Sequence, residues 1–162
     1  MLYRLLLLPP LLLSACAFQP QTSPSNDDLL ERQLVGSWDC TLEISTPEAD
    51  MLLESTDSFV ANERYTSIGG ISLFIPEFGE ELYFHISDVG TWEVIDGNFV
   101  AVSENIQVKL VSHPEMSDYF DLEDFVPKGA SAAASIIELN EQVLVTRIRN
   151  DMPDQKCVRV GP

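Results

Sequence analysis

Between Ser37 and Ile44 every second side chain is apolar: Trp38, Cys40, Leu42 and Ile44 fall on one face, and Ser37, Asp39, Thr41 and Glu43 on the other. Successive side chains of a strand point to opposite sides, so this period of two predicts a strand with one buried face. The same rhythm predicts strands near 51–60, 64–74, 81–87, 91–95, 98–103, 106–111, 135–139, 142–149 and 156–160. So many short strands laid out flat would leave exposed edges, and closing the sheet on itself removes them. The expected fold is therefore all-β, a small antiparallel barrel of 8–10 strands. Helical pattern is confined to a short N-terminal turn and to one turn around 115–121. In the first, Asn26 or Asp27 serves as the cap and Leu29, Leu30 and Leu34 face inward.

One hairpin can be registered directly. Asp96-Gly97 is a strong two-residue turn of type I′, in which both central residues need positive φ. It pairs Ile95 with Asn98, Val94 with Phe99 and Trp92 with Ala101, which gathers Trp92, Val94, Phe99 and Ala101 on one face. A weaker turn at Asn140-Glu141 joins the two strands after Ser135. Gly69-Gly70 interrupts an otherwise continuous strand pattern, and such a pair marks a bulge or a barrel corner.

The first residues follow a different logic. A basic start (Arg4), an apolar stretch from Leu5 to Leu13, and the small residues Ser14 and Ala15 precede Cys16. The apolar stretch would span roughly 14 Å as a helix, against about 30 Å of membrane hydrocarbon, so it does not cross a bilayer. Leu13-Ser14-Ala15-Cys16 resembles the lipobox of bacterial lipoprotein signal peptides. The resemblance implies that residues 1–15 are removed and that Cys16 becomes an N-terminus carrying three acyl chains, enough for firm anchoring. Ala17, where an Asp would favour inner-membrane retention, implies the periplasmic face of the outer membrane. Residues 16–28 are rich in Pro, Ser, Gln and Asp and read as a lipidated tether of at most about 37 Å. Residues 29–162 form the expected barrel domain.

Cleavage leaves 147 of the 162 residues, enough for one domain with its own core. With Cys16 lipidated, Cys40 and Cys157 remain. An even pair outside the reducing cytoplasm reads as a disulfide joining first strand to last, with two buried thiols as the alternative. The net charge is −17 and the only lysines are Lys109, Lys128 and Lys156. Such a surface cannot neutralise a phosphate backbone, which excludes nucleic acid as a partner. The acidity otherwise serves solubility, or a cationic partner or loosely held divalent ions.

Leu34-Val35-Gly36-Ser37-Trp38 resembles the opening of lipocalin-like (calycin) barrels, where a helical turn leads into Gly-x-Trp on the first strand. The resemblance implies that Trp38 plugs the closed end of the barrel under an arginine from late in the chain. Arg159 is the best placed for that role, with Arg147 and Arg149 as competitors. A second Val-Gly-Thr-Trp, Val89 to Trp92, is similar to a mid-chain hairpin of small bacterial lipocalin-like lipoproteins, and makes Trp92 a further barrel-end residue.

Residues with obvious chemistry are few. His85 lies opposite Leu82, Phe84 and Ile86 and reads as solvent-facing, and His113 precedes Pro114 in a loop. No nucleophile elbow, phosphate loop or zinc motif is present in the sequence, and no catalytic residue, metal ligand or cofactor is nominated. Asp118, Asp121, Glu123 and Asp124 surround Tyr119, Phe120 and Phe125 without the spacing of a calcium loop. They read as a solvated loop, or as a weak calcium or partner contact. Ile71 to Phe78 is apolar enough for core packing or for partner contact. The expected function is a non-catalytic, membrane-anchored envelope lipoprotein that docks a protein partner on a lipocalin-like scaffold. The alternative is a carrier holding a small apolar ligand inside the barrel.

Overall fold

The structure, a computed structural model, describes residues 24–77, 79–119 and 129–161. The leader, Cys16 and the tether as far as residue 23 lie outside the described residues, as do Phe78 and most of the acidic-aromatic loop, 120–128.

Eight antiparallel strands follow one another in chain order around a closed barrel. They are β1 (Gly36–Ser45), β2 (Asp50–Val60), β3 (Arg64–Ile75), β4 (Glu80–Ile95), β5 (Asn98–Leu110), β6 (Ser131–Leu139), β7 (Val143–Arg147) and β8 (Gln155–Val160). A helix, α1 (Asn26–Leu34), precedes β1, and a 3₁₀ helix (Pro114–Tyr119) follows β5. The all-β barrel with a helical N-terminal turn is the fold expected above.

Ten segments of alternating pattern become eight strands because two pairs are continuous. Residues 81–87 and 91–95 belong to β4, and 98–103 and 106–111 to β5. Polar residues at inward positions, Asp88 and Ser103, break the apolar rhythm without breaking the pairing. The register shifts once there, between Val89 and Gly90. Gly69-Gly70, by contrast, is neither bulge nor break: both pair in unbroken register with β2 and β4. The glycines answer to close approach. A Cβ on Gly69 would strike the backbone of β2 at Glu54 and Ser55, and one on Gly70 would strike the Tyr83 ring.

The Asp96-Gly97 turn forms with both residues at positive φ, 51° and 75°. Ile95, Val94 and Trp92 oppose Asn98, Phe99 and Ala101. At the later turn, Asn140 Oδ1 accepts from the backbone N–H of Gln142 and Val143, so one side chain organises the reversal. The cap of α1 is Ser25 rather than Asn26 or Asp27. Its Oγ accepts from Asp28 N at 3.1 Å while the Asp28 carboxylate accepts from Ser25 N at 2.8 Å, a reciprocal capping box. Leu34 is fully buried and Leu30 packs beneath it one turn earlier, whereas Leu29, rotated off that stripe, is 47% exposed.

Asp27, released from capping, accepts from the backbone N–H groups of Asp96 at 2.9 Å and Gly97 at 3.0 Å. Glu31 accepts from Val94 N. The pairing of β4 with β3 ends at Thr91; Trp92 N then donates to the Glu63 carbonyl, and α1 receives the donors of Val94, Asp96 and Gly97.

The barrel wall is uneven in height. Neighbours among β1 to β5 pair over ten to twelve residues, whereas β5–β6, β6–β7, β7–β8 and β8–β1 pair over only four or five. The main core fills the section closed on all sides, around Trp38, Phe59, Trp92, Val94 and Leu144. A second cluster, Leu82, Phe84 and Leu110, lies on the tall side, where Met116 of the 3₁₀ helix packs against it.

Candidate functional site

Three regions hold the residues singled out from the sequence. The first is the closed end. Trp38 is fully buried and donates from Nε1 to the Leu34 carbonyl at 2.8 Å. The Arg159 guanidinium lies 4.0 Å from the centre of its ring. The same guanidinium donates to the carbonyls of Val35 and Glu141, each at 2.8 Å, and to that of Gln33. It therefore caps the end of α1 while stacking on the first strand's tryptophan. Gly36 sits at φ 136°, and a Cβ there would run into the guanidinium, which explains glycine before this tryptophan. The competing arginines are engaged elsewhere, Arg147 with Asp154 and Arg149 with Asp151. Trp92 donates to the carbonyls of Val60 and Arg64 and packs edge-on to Phe59, with ring centres 5.5 Å apart.

The second region is the barrel interior. Cys40 and Cys157 are directly opposed on β1 and β8 and form a disulfide, both residues almost wholly buried. Beside it lies a cavity of about 170 Å³, lined by Phe59, Phe99, Ala132, Ala134 and Leu144, with Asp57 in its wall. Across the interior runs a polar layer that the sequence reading missed. Asp88 accepts from Tyr65 Oη at 2.5 Å and from Ser103 Oγ at 2.6 Å, and Asp57 accepts from Ser67 Oγ at 2.6 Å. Burial raises the Asp57 carboxyl above its ordinary value, against the pull of the Ser67 and Ser55 hydroxyls, and the Asp88 carboxylate adds to the rise. Burial and the same Asp88 carboxylate raise the Tyr65 phenol, so it stays protonated as a donor. The available signal was the alternation itself, since Asp57 shares a face with Phe59, and Asp88 with Ile86. Among the described residues, every buried side-chain polar atom has a partner, and no group of three or more His, Cys, Asp or Glu is placed to hold a metal ion.

The third region is the outer face of β1 to β4. A groove of about 450 Å³ crosses it at the glycine pair, walled by Asp39, Glu54, Ile68, Tyr83 and His85. A smaller hollow of about 220 Å³ continues it along Glu43, Asp50, Leu52, Phe74 and Glu81. His85 is exposed, on the groove wall. His113 lies at the barrel rim, its Nε2 3.1 Å from Glu80. Of the apolar run that begins at Ile71, Ile71 and Leu73 pack against the second core cluster, while Phe74 faces outward. The groove was illegible in the sequence because it combines four strands through register.

Compared with known proteins, the chain matches no protein-family model and no curated protein.

Proposed function

We propose that this chain is a lipid-anchored envelope lipoprotein whose barrel is a non-catalytic platform for docking a protein partner. In this reading Cys16 carries the anchor, residues 17–23 lead to the domain, and the periplasmic face of the outer membrane is its address. The observation that carries it is how full the interior is. The apolar cavity beside the disulfide holds about 170 Å³, well below the roughly 300 Å³ at which pockets begin to hold drug-sized ligands. The polar layer above it is satisfied by its own hydroxyls and carboxylates. Apolar side chains meanwhile stand on the outside, with Ile68 57% exposed, Tyr83 43% and Phe74 38%. Single exposed apolar residues are ordinary, but these three line adjoining concavities on one face.

A carrier is the second reading, favoured by the apolar lining of that same cavity, since an engineered apolar void of about 150 Å³ takes up benzene. Mass spectrometry separates the readings. Intact mass of the protein from bacterial envelopes should fit a chain beginning at Cys16 and bearing acyl groups, and an unmodified thiol there refutes the anchor. Native mass spectrometry should find the barrel empty of small molecules. A stoichiometric apolar compound would replace the docking reading with the carrier.

A further inference from the structure

We propose that the outer face of β1 to β4 is a track for an extended, basic segment of a partner protein, carrying Lys or Arg at alternate positions. This rests on the docking reading above and names its surface and partner chemistry. The strand register arranges the face in rows: Asp39, Thr56, Ile68, Ser87; then Thr41, Glu54, Gly70, His85; then Glu43, Leu52, Ser72, Tyr83; then Ser45, Asp50, Phe74, Glu81. Each of the four rows holds at least one carboxylate, and none holds Lys or Arg. Three of the rows also hold an exposed apolar side chain, and in the other the Tyr83 ring lies over Gly70.

Successive rows lie two residues apart, about 6.6–6.8 Å along the strand, which is also the spacing of alternate side chains in an extended peptide. One basic side chain per row can therefore meet a carboxylate, while the intervening residues point away. Tyr83 presents an aromatic face to a passing cation, a further attraction that favours Arg.

None of the five carboxylates belongs to the ion pairs among the described residues, which use Glu104, Glu80, Asp154 and Asp151. The nearest lysines flank the track instead of lining it: Lys109 pairs across from His85 on β5, and Lys156 from Thr41 on β8. A segment lying parallel to the strands passes between them. One lying across the strands would meet both. Direction is thus set by the same charges that supply the attraction, and an acidic or neutral strand gains nothing on this face.

The test uses the full chain and a fluorescent nine-residue peptide with Arg at alternate positions and Thr between, followed by anisotropy. The peptide should bind, and its Glu-for-Arg counterpart should not. Asp39→Asn with Glu54→Gln, both solvent-exposed positions, should weaken binding by about tenfold. Glu93→Gln with Glu138→Gln removes the same charge outside the track and should change it by less than about twofold. Equal loss in the two double variants would reduce the effect to bulk charge and overturn the proposal, as would spermine competing at the peptide's own concentration. In cells, a photocrosslinking side chain placed at 68 should capture a protein and one at 137 should not. Capture at 137 alone overturns the track but leaves the docking reading intact, and capture at neither overturns both.

Discussion

Arg159 lies within a few residues of the end of the chain, yet it holds the beginning. Its three carbonyl acceptors and the Trp38 ring come from residues 33–38, where α1 passes into β1, and from the β6–β7 turn, so one side chain ties two separate stretches to β8. Lysine cannot reproduce a planar fork that stacks and donates in several directions. Arg159→Lys should therefore cost about 2–3 kcal/mol in urea unfolding, with near-native strand content by circular dichroism. Asp57 offers a prediction of opposite sign. Its carboxyl titrates higher in the folded barrel than in the unfolded chain, so folding favours the protonated form. The contribution is stabilising below the unfolded value of about 3.9 and is lost as pH rises through the folded one. Asp57→Asn should accordingly unfold at higher urea than the parent at pH 7, and the advantage should vanish near pH 4. An Asn variant less stable at pH 7 would show that the Ser67 bond outweighs the burial of charge.

At the scale of elements, α1 acts as a clamp on the β4–β5 hairpin more than as an independent helix. Asp27 and Glu31 accept from the amides of Val94, Asp96 and Gly97, where β3 no longer reaches. Asp27→Ala with Glu31→Ala should speed hydrogen exchange at those three amides by about tenfold while leaving the β2–β3 ladder unchanged, since each lost bond is worth about 1 kcal/mol. The elements also show what a sequence can reveal. Alternation at 37–44 and the Asp-Gly turn were legible because strand period and turn sterics are local. Strand lengths were not, because an inward Asp88 reads like a loop residue until Tyr65 and Ser103 are placed against it by neighbouring strands. The Trp38–Arg159 stack emerged only through resemblance, as its partners are 121 positions apart and no local pattern links them. The acidic rows of the outer face exist only once four strands are in register.

For the molecule as a whole, the disulfide governs closure. It joins positions separated by 117 residues at the β8–β1 seam, where only five residue pairs hold the two strands. In the chain-entropy model a loop of that order is worth about 4.7 kcal/mol. Cys40→Ala with Cys157→Ala should lose about that much in guanidinium unfolding, with a steeper dependence on denaturant because the unfolded chain is no longer looped. A loss below about 1 kcal/mol would mean that the short ladder and the Arg159 contacts close the seam unaided. The bond has a mechanical corollary too. Tension on the chain ahead of α1 would otherwise peel the first strand off both neighbours, one residue at a time. With Cys40 bridged to Cys157, the load passes at the fifth residue of β1 into a covalent ring that contains nearly the whole barrel. What yields under pulling is then the helix and the strand's first few residues, and the remainder hangs intact, like a bucket on its handle.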